Sequence, residues 1–134
     1  MNCKRYALSV IAGFIFVFVF EYMLHGNLLM GLYEQTSNLW RSTEEMEKYA
    51  PFMGLVQFLT VVILAFIFTC NFENKGVTEG ARFGLLIGLL FGVGMIGMYA
   101  YMPIPMALAV AWFIGTLIEM TALGIVFSLT CKEK

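Results

Sequence analysis

The sequence predicts an all-α integral membrane protein with four transmembrane helices in an antiparallel bundle. Of its 134 residues, 60% are hydrophobic and only 13% are charged, whereas soluble domains carry about 25% charged residues. At about 20 residues per span, four helices and short loops use most of the chain. Residues 1–134 are therefore expected to form one membrane domain surrounded by lipid. The net charge of −1 gives no sign of a nucleic-acid partner.

The first helix is predicted at about residues 6–31, after a short basic start. Its strongly polar residues are Glu21, His25 and Asn27. The apolar run is too long for a secretory signal peptide and lacks the small residues of a cleavage site. It is therefore expected to remain in the mature protein as a signal anchor.

Residues 32–50 form the one sizeable polar segment between predicted spans. Within it, Ser42-Thr-Glu-Glu45 matches a capping box, which predicts a short interfacial helix that ends before Pro51. Aromatic residues are enriched where lipid meets water. Three residues are predicted as interface anchors on this basis: Tyr33, Trp40 and Tyr49.

The remaining helices are predicted at about residues 51–70, 79–101 and 107–130. The third carries a glycine at every fourth position: Gly80, Gly84, Gly88 and Gly92. In water each glycine would cost a helix about 1 kcal/mol relative to alanine. In lipid, small residues at this spacing let two helix backbones approach closely. The row therefore predicts a groove for a neighbouring helix.

The fourth helix carries a second row of small residues that leads to an acid: Ala107, Ala111, Gly115 and Glu119. A short, proline-containing loop joins the third and fourth helices, so they are expected to be antiparallel neighbours. Pairing Ala100 with Ala107 across that loop brings Gly88 opposite Glu119. This register predicts that Glu119 faces the glycine groove.

The distribution of Lys and Arg predicts that both termini are cytoplasmic. Six basic residues then lie inside and two lie outside, in agreement with the positive-inside rule. The inside group is Lys4, Arg5, Lys75, Arg82, Lys132 and Lys134, and the outside group is Arg41 and Lys48. The same topology places Cys3, Cys70 and Cys131 on the reducing side, where free thiols are expected. A bacterial inner membrane is the expected location.

Three ionisable residues are expected to converge near the middle of the membrane: Glu21, His25 and Glu119. Glu21 and His25 are four residues apart and share one helix face. Counted from the cytoplasmic ends, the depths of the two acids differ by about 6 Å at ~1.5 Å per residue. An ionisable group at this depth costs at least about 2.5 kcal/mol and is by default a candidate site. The trio is predicted to bind an ion, a proton or a ligand, or else to hold helices together.

The predicted function is that of a structural or accessory subunit of a membrane assembly, either a homo-oligomer or part of a larger complex. The alternative is a proton-coupled or cation/small-solute transporter that uses Glu21, His25 and Glu119. A metal site of two Glu and one His is a further, less favoured reading. No cofactor is predicted. No enzyme is predicted either, because the sequence has no nucleophile–base constellation, phosphate loop or H-E-x-x-H motif.

In its size, its four spans and the Glu in its first helix, the chain resembles the small multidrug resistance transporters. The resemblance is one of architecture and covers no local motif. The chain differs in its long outer loop, in His25 and in the second intramembrane acid, Glu119. For this reason the functional residues of that family are not assigned to this sequence.

Overall fold

The computed structural model describes residues 3–131, and this part of the chain consists of helices and their connecting turns, without a β-strand. Four helical stretches are long and apolar enough to cross a membrane, with 24 to 28 residues each when the π-helical and 3-10 turns that continue two of the helices are included. At 1.5 Å per residue they are about 36–42 Å long, more than the ~30 Å of a hydrocarbon core. In chain order the helices are α1 (Cys3–Met23), α2 (Met30–Glu34), α3 (Thr43–Cys70), α4 (Val77–Gly97) and α5 (Met106–Cys131).

Helix α3 corrects the prediction of a separate interfacial helix. The N-cap is as expected, because the Ser42 side chain accepts a hydrogen bond from the Glu45 backbone N–H at 3.3 Å. The helix then continues through Pro51 without interruption to Cys70. Proline has no N–H to donate to the carbonyl of Glu47, four residues earlier. Glu47 is exposed, so this carbonyl lies where water can replace the missing donor, and the helix need not end.

Helices α4 and α5 pack through the predicted glycine row, and all four of its glycines are buried. A Cβ atom added at Gly80 would collide with the carbonyl oxygen of Gly124, and one added at Gly84 with that of Met120. The two backbones are therefore in direct contact. Residues later in α4 contact residues earlier in α5. These two helices therefore run in opposite directions.

The predicted register of this pair is wrong by two residues. Gly88 lies against Leu117, where a Cβ would be 3.0 Å from the Leu117 Cα, and not against Glu119. Helix α4 passes into a 3-10 turn at Met98–Ala100, and α5 starts only at Met106. The connection is therefore longer than the simple pairing of helix ends assumed. A shift of two residues rotates α5 by about 200°, which takes Glu119 away from the glycine groove.

The small-residue row predicted for α5 does not face α4. Gly115 faces α1, because a Cβ there would meet the Leu24 side chain at 2.5 Å. Ala107 is exposed, and Ala111 packs in a separate apolar cluster near the start of α5. The small residue of α5 that meets the glycine row is Gly124.

Helix α5 is the central element, since it contacts α1, α3 and α4. Gly13 brings α1 close to both α3 and α5: a Cβ there would lie 2.8 Å from Phe127 and 3.0 Å from Val61. The main apolar core forms around this crossing. Its buried members are Val10, Val17, Val61, Leu64, Ala65, Phe68, Met120, Leu123, Phe127 and Cys131.

Hydrogen bonds fix the beginning of α1 against its neighbours. The Arg5 guanidinium donates to the backbone carbonyl of Cys131 at 3.1 Å. The Ser9 hydroxyl lies 2.6 Å from the Thr130 hydroxyl. With the apolar contacts of Gly13, these bonds set the level of α1 relative to α5, and therefore the level of the acids that the two helices carry.

Candidate functional site

Glu119 lies on the side of α5 that faces α1. The residues one turn before and one turn after Glu119 both face this side. Gly115 contacts Leu24, which directly follows α1, and Leu123 contacts α1 at Gly13. The residue is only 4% exposed, and its Oε1 has no hydrogen-bond partner among residues 3–131. A buried polar atom without a partner is costly. This oxygen is therefore a natural acceptor for a proton, a cation or a hydrogen-bond donor.

Glu21 of α1 is the acidic neighbour of Glu119. Its side chain is 25% exposed, and its carboxyl group is close enough to that of Glu119 for the two to interact electrostatically. An ionised carboxylate can only accept hydrogen bonds. Two neighbouring carboxyl groups can therefore form a hydrogen bond to each other only if one of them carries a proton.

His25 follows Glu21 at the point where α1 changes geometry. The helix passes into a π-helical turn at Leu24–Leu28, closed by a 2.9 Å bond from the Leu29 N–H to the Leu24 carbonyl. π-helical turns are rare in proteins, and those that do occur are often found at functional sites. The imidazole Nε2 lies 3.4 Å from Oε2 of Glu21, so Glu21 has both His25 and Glu119 as neighbours.

Tyr33 of α2 extends this polar chain away from the acids. Its hydroxyl lies 2.5 Å from Nδ1 of His25 and accepts a 2.7 Å hydrogen bond from the Trp112 indole N–H. Burial raises the pKa of the Tyr33 phenol above its ordinary value. The Trp112 hydrogen bond opposes that shift, and the charge of Glu21 adds to it. Tyr33 is therefore an un-ionised phenol at neutral pH.

Trp40 packs against the same tyrosine. Its ring meets Tyr33 edge-on at 5.5 Å and Trp112 at 6.1 Å, while its indole N–H donates to the Thr36 hydroxyl at 2.9 Å. Two of the predicted interface anchors, Tyr33 and Trp40, therefore have partners within the protein. The third, Tyr49, is exposed, with the Arg41 guanidinium 4.6 Å from its ring centre. Their role as membrane-interface anchors stays a prediction.

A groove of about 420 Å³ lies between α1 and the first half of α3, and Glu21 forms part of its wall. The helices are in contact at Phe14 and Phe58, and the groove lies between the later residues of α1 and the earlier residues of α3. Gly54 adds space, since a Cβ there would meet nothing within 4 Å. The other lining residues are mostly apolar: Phe18, Tyr22, Arg41, Met46, Tyr49, Ala50, Met53 and Gln57. Glu21 is therefore the member of the acid pair that the groove exposes.

A metal site of two Glu and one His is not supported. Within residues 3–131, no group of three or more His, Cys, Asp or Glu side chains is arranged to hold a metal ion. All three cysteines are free: Cys3 and Cys70 are exposed, and Cys131 is buried with its Sγ 3.1 Å from the Ser9 hydroxyl.

Trp112 is a member of the site that the sequence did not predict. A tryptophan near the start of α5 was open to interpretation as a lipid-facing aromatic residue. Its contact with Tyr33, 79 residues earlier, depends on how residues 29–40 pack against the start of α5. No local sequence pattern records that arrangement.

The chain matches no protein-family model, no curated protein and no solved structure. Its function is therefore argued from the chemistry of the site.

Proposed function

We propose that the protein is a proton-coupled or cation/small-solute transporter, with Glu21, His25 and Glu119 as the groups that bind the transported ion. The supporting observation is the free oxygen of Glu119 beside Glu21. An acid that served only to join helices would be expected to satisfy its buried oxygens within the protein. Intramembrane acids that retain binding capacity are typical of proton and ion pathways.

The surroundings of the acid pair support access from the α2 end. Glu21 is a quarter exposed and His25 somewhat more, at 37%, whereas Glu119 is almost wholly buried. An ion or proton would therefore reach Glu21 first, either from the groove or through His25. Glu119 would then receive it from Glu21, at the centre of the protein.

We further propose an antiparallel four-helix bundle in a bacterial inner membrane, with both termini cytoplasmic and residues 32–50 outside. The support is the excess of Lys and Arg at one end of the helices. The start of α3, with Trp40 and Tyr49 nearby, would lie at the outer membrane surface. The acid pair would then be open to the outer side.

This orientation predicts the labelling of single cysteines in intact cells. In a variant without Cys3, Cys70 and Cys131, cysteine at exposed position 43 should react with a membrane-impermeant maleimide. Cysteine at position 75, in the exposed α3–α4 loop, is the matched control and should react only after the cells are permeabilised. The opposite pattern would reverse the orientation.

Proton flux tests the transport proposal. The protein is reconstituted in liposomes with an outward potassium gradient, and valinomycin makes the lumen electrically negative. Protons should then enter and acidify the lumen, as reported by an entrapped pH-sensitive dye. Glu119→Gln keeps the shape of the side chain but cannot exchange a proton, so flux should fall to the level of empty liposomes. Glu21→Gln should have the same effect.

The matched control for this experiment is Glu34→Gln, which neutralises an exposed acid at the end of α2. It should retain wild-type flux. If the wild type carries no more protons than Glu119→Gln while both assemble normally, the proposal of proton transport through these acids is wrong.

A structural or accessory subunit of a membrane assembly is the second candidate function. It is favoured by the position of α4, which packs almost wholly against α5. Two further glycines of α4, Gly94 and Gly97, have nothing within 4 Å of an added Cβ, so a helix of another subunit could approach there. Co-purification with a constant partner in mild detergent, together with no proton flux, would favour this function over transport.

A further inference from the structure

We infer that Trp112 and Tyr33 together hold His25 in one neutral tautomer, with its proton on Nε2, facing Glu21. Trp112 is then a positioning residue that acts on Glu21 through Tyr33 and His25. The consequence of this hydrogen-bond chain for transport rests on the function proposed above.

The direction of the first hydrogen bond is fixed by chemistry. The indole N–H of Trp112 can donate a hydrogen bond but cannot accept one. In its 2.7 Å contact with Tyr33, the phenolic oxygen must therefore be the acceptor. One lone pair of that oxygen is then occupied, and the hydroxyl proton remains to be placed.

The hydroxyl proton of Tyr33 has one acceptor within reach. The hydrogen bonds among residues 3–131 give this hydroxyl only two partners, Trp112 and Nδ1 of His25. Trp112 cannot accept, so the proton points to Nδ1, at a short distance of 2.5 Å. The phenol keeps this proton at neutral pH because burial raises the pKa of Tyr33.

A ring nitrogen that accepts a hydrogen bond carries no proton of its own. Neutral histidine has one N–H, and with Nδ1 as acceptor that N–H must be on Nε2. Nε2 lies 3.4 Å from Oε2 of Glu21, beyond the usual 2.7–3.2 Å of an N–H···O bond. The two shorter contacts at the Tyr33 end therefore decide the tautomer, and the looser end presents a donor to Glu21.

The arrangement gives His25 a defined part in the proposed transport. Its Nε2–H is a donor 3.4 Å from Glu21, and a small movement would complete the hydrogen bond. If Nδ1 carried the proton instead, the lone pair of Nε2 would face the carboxyl oxygens of Glu21. Trp112 therefore orients the chain of polar groups without touching either acid.

Nitrogen NMR of histidine-labelled protein tests this inference directly, because the chain contains a single histidine. At alkaline pH, where the ring is neutral, the wild type should show an unprotonated Nδ1 and a protonated Nε2. In Trp112→Phe the Tyr33 oxygen becomes free to accept from Nδ1–H. The ratio of the two tautomers should then fall by about fivefold, the change that a hydrogen bond of ~1 kcal/mol produces.

Trp40→Phe is the matched control. It removes an indole from the same aromatic cluster, but the lost N–H belongs to the bond with Thr36 and not to Tyr33. This variant should leave the tautomer ratio unchanged. A protonated Nδ1 in the wild type, or equal changes in the two tryptophan variants, would overturn the inference.

The tautomer is measured without any flux, so this result and the transport proposal can fail separately. A wild-type protein with the Nε2–H tautomer and no proton flux would keep the hydrogen-bond chain and reject transport. Proton flux together with an Nδ1–H tautomer would support transport and reject the proposed hydrogen-bond chain.

Discussion

Replacing Gly84 by alanine is expected to destabilise the protein by about 1–3 kcal/mol, the usual cost of overpacking a tight contact. The added methyl would collide with the carbonyl oxygen of Met120. This atom belongs to a helix backbone, so it cannot turn away as a side chain would. Helices α4 and α5 would have to separate, and α5 is the main packing partner of α4.

Gly94→Ala is the matched control on the same helix. A Cβ at Gly94 meets nothing within 4 Å, so the same substitution should cost no packing and should favour the helix, by up to about 0.5–1 kcal/mol in water. Unfolding in mixed micelles by titration with SDS would compare the two variants. Equal stability of both would mean that the α4–α5 contact is not as described.

The sequence was sufficient to identify the contact surface of α4 but not its partner surface. Four glycines at one spacing mark a single helix face, and that face is buried. Helix α5 has small residues on two faces: Gly115 faces α1 and Gly124 faces α4. Choosing between them required the length of the connection to α5, which residue spacing alone does not specify.

In the candidate site, too, contacts between residues close in sequence were easier to predict than contacts between distant ones. Glu21 and His25 could be placed together from their spacing of four residues. The meeting of Glu21 with Glu119 followed from their similar depths. The contact of Trp112 with Tyr33 could not be foreseen, because it depends on the π-helical turn and on the short helix α2.

The break predicted at Pro51 illustrates how context overrides a local rule. Proline commonly ends or begins a helix, and here it lies inside a helix of 28 residues. The first turns of α3 are exposed, so one missing hydrogen bond is tolerated there. The consequence is a long α3 whose first half forms one wall of the groove beside Glu21.

Glu21 and Glu119 are expected to be coupled in their protonation. Two neighbouring carboxylates in a low-dielectric interior repel each other, and one proton held by the pair removes that repulsion. The pair is therefore expected to hold one proton near neutral pH. Gln at either position would leave no shared proton, so the vibration of the protonated acid should disappear or shift in both variants.

Infrared difference spectroscopy through a pH titration measures this property most directly. The wild type should show a carboxylic-acid band that persists at neutral pH. That band should be altered by Glu119→Gln and by Glu21→Gln, and unchanged by Glu34→Gln. If the two variants instead removed two separate bands independently, or if the wild type had no such band at neutral pH, the acids would not form a coupled pair.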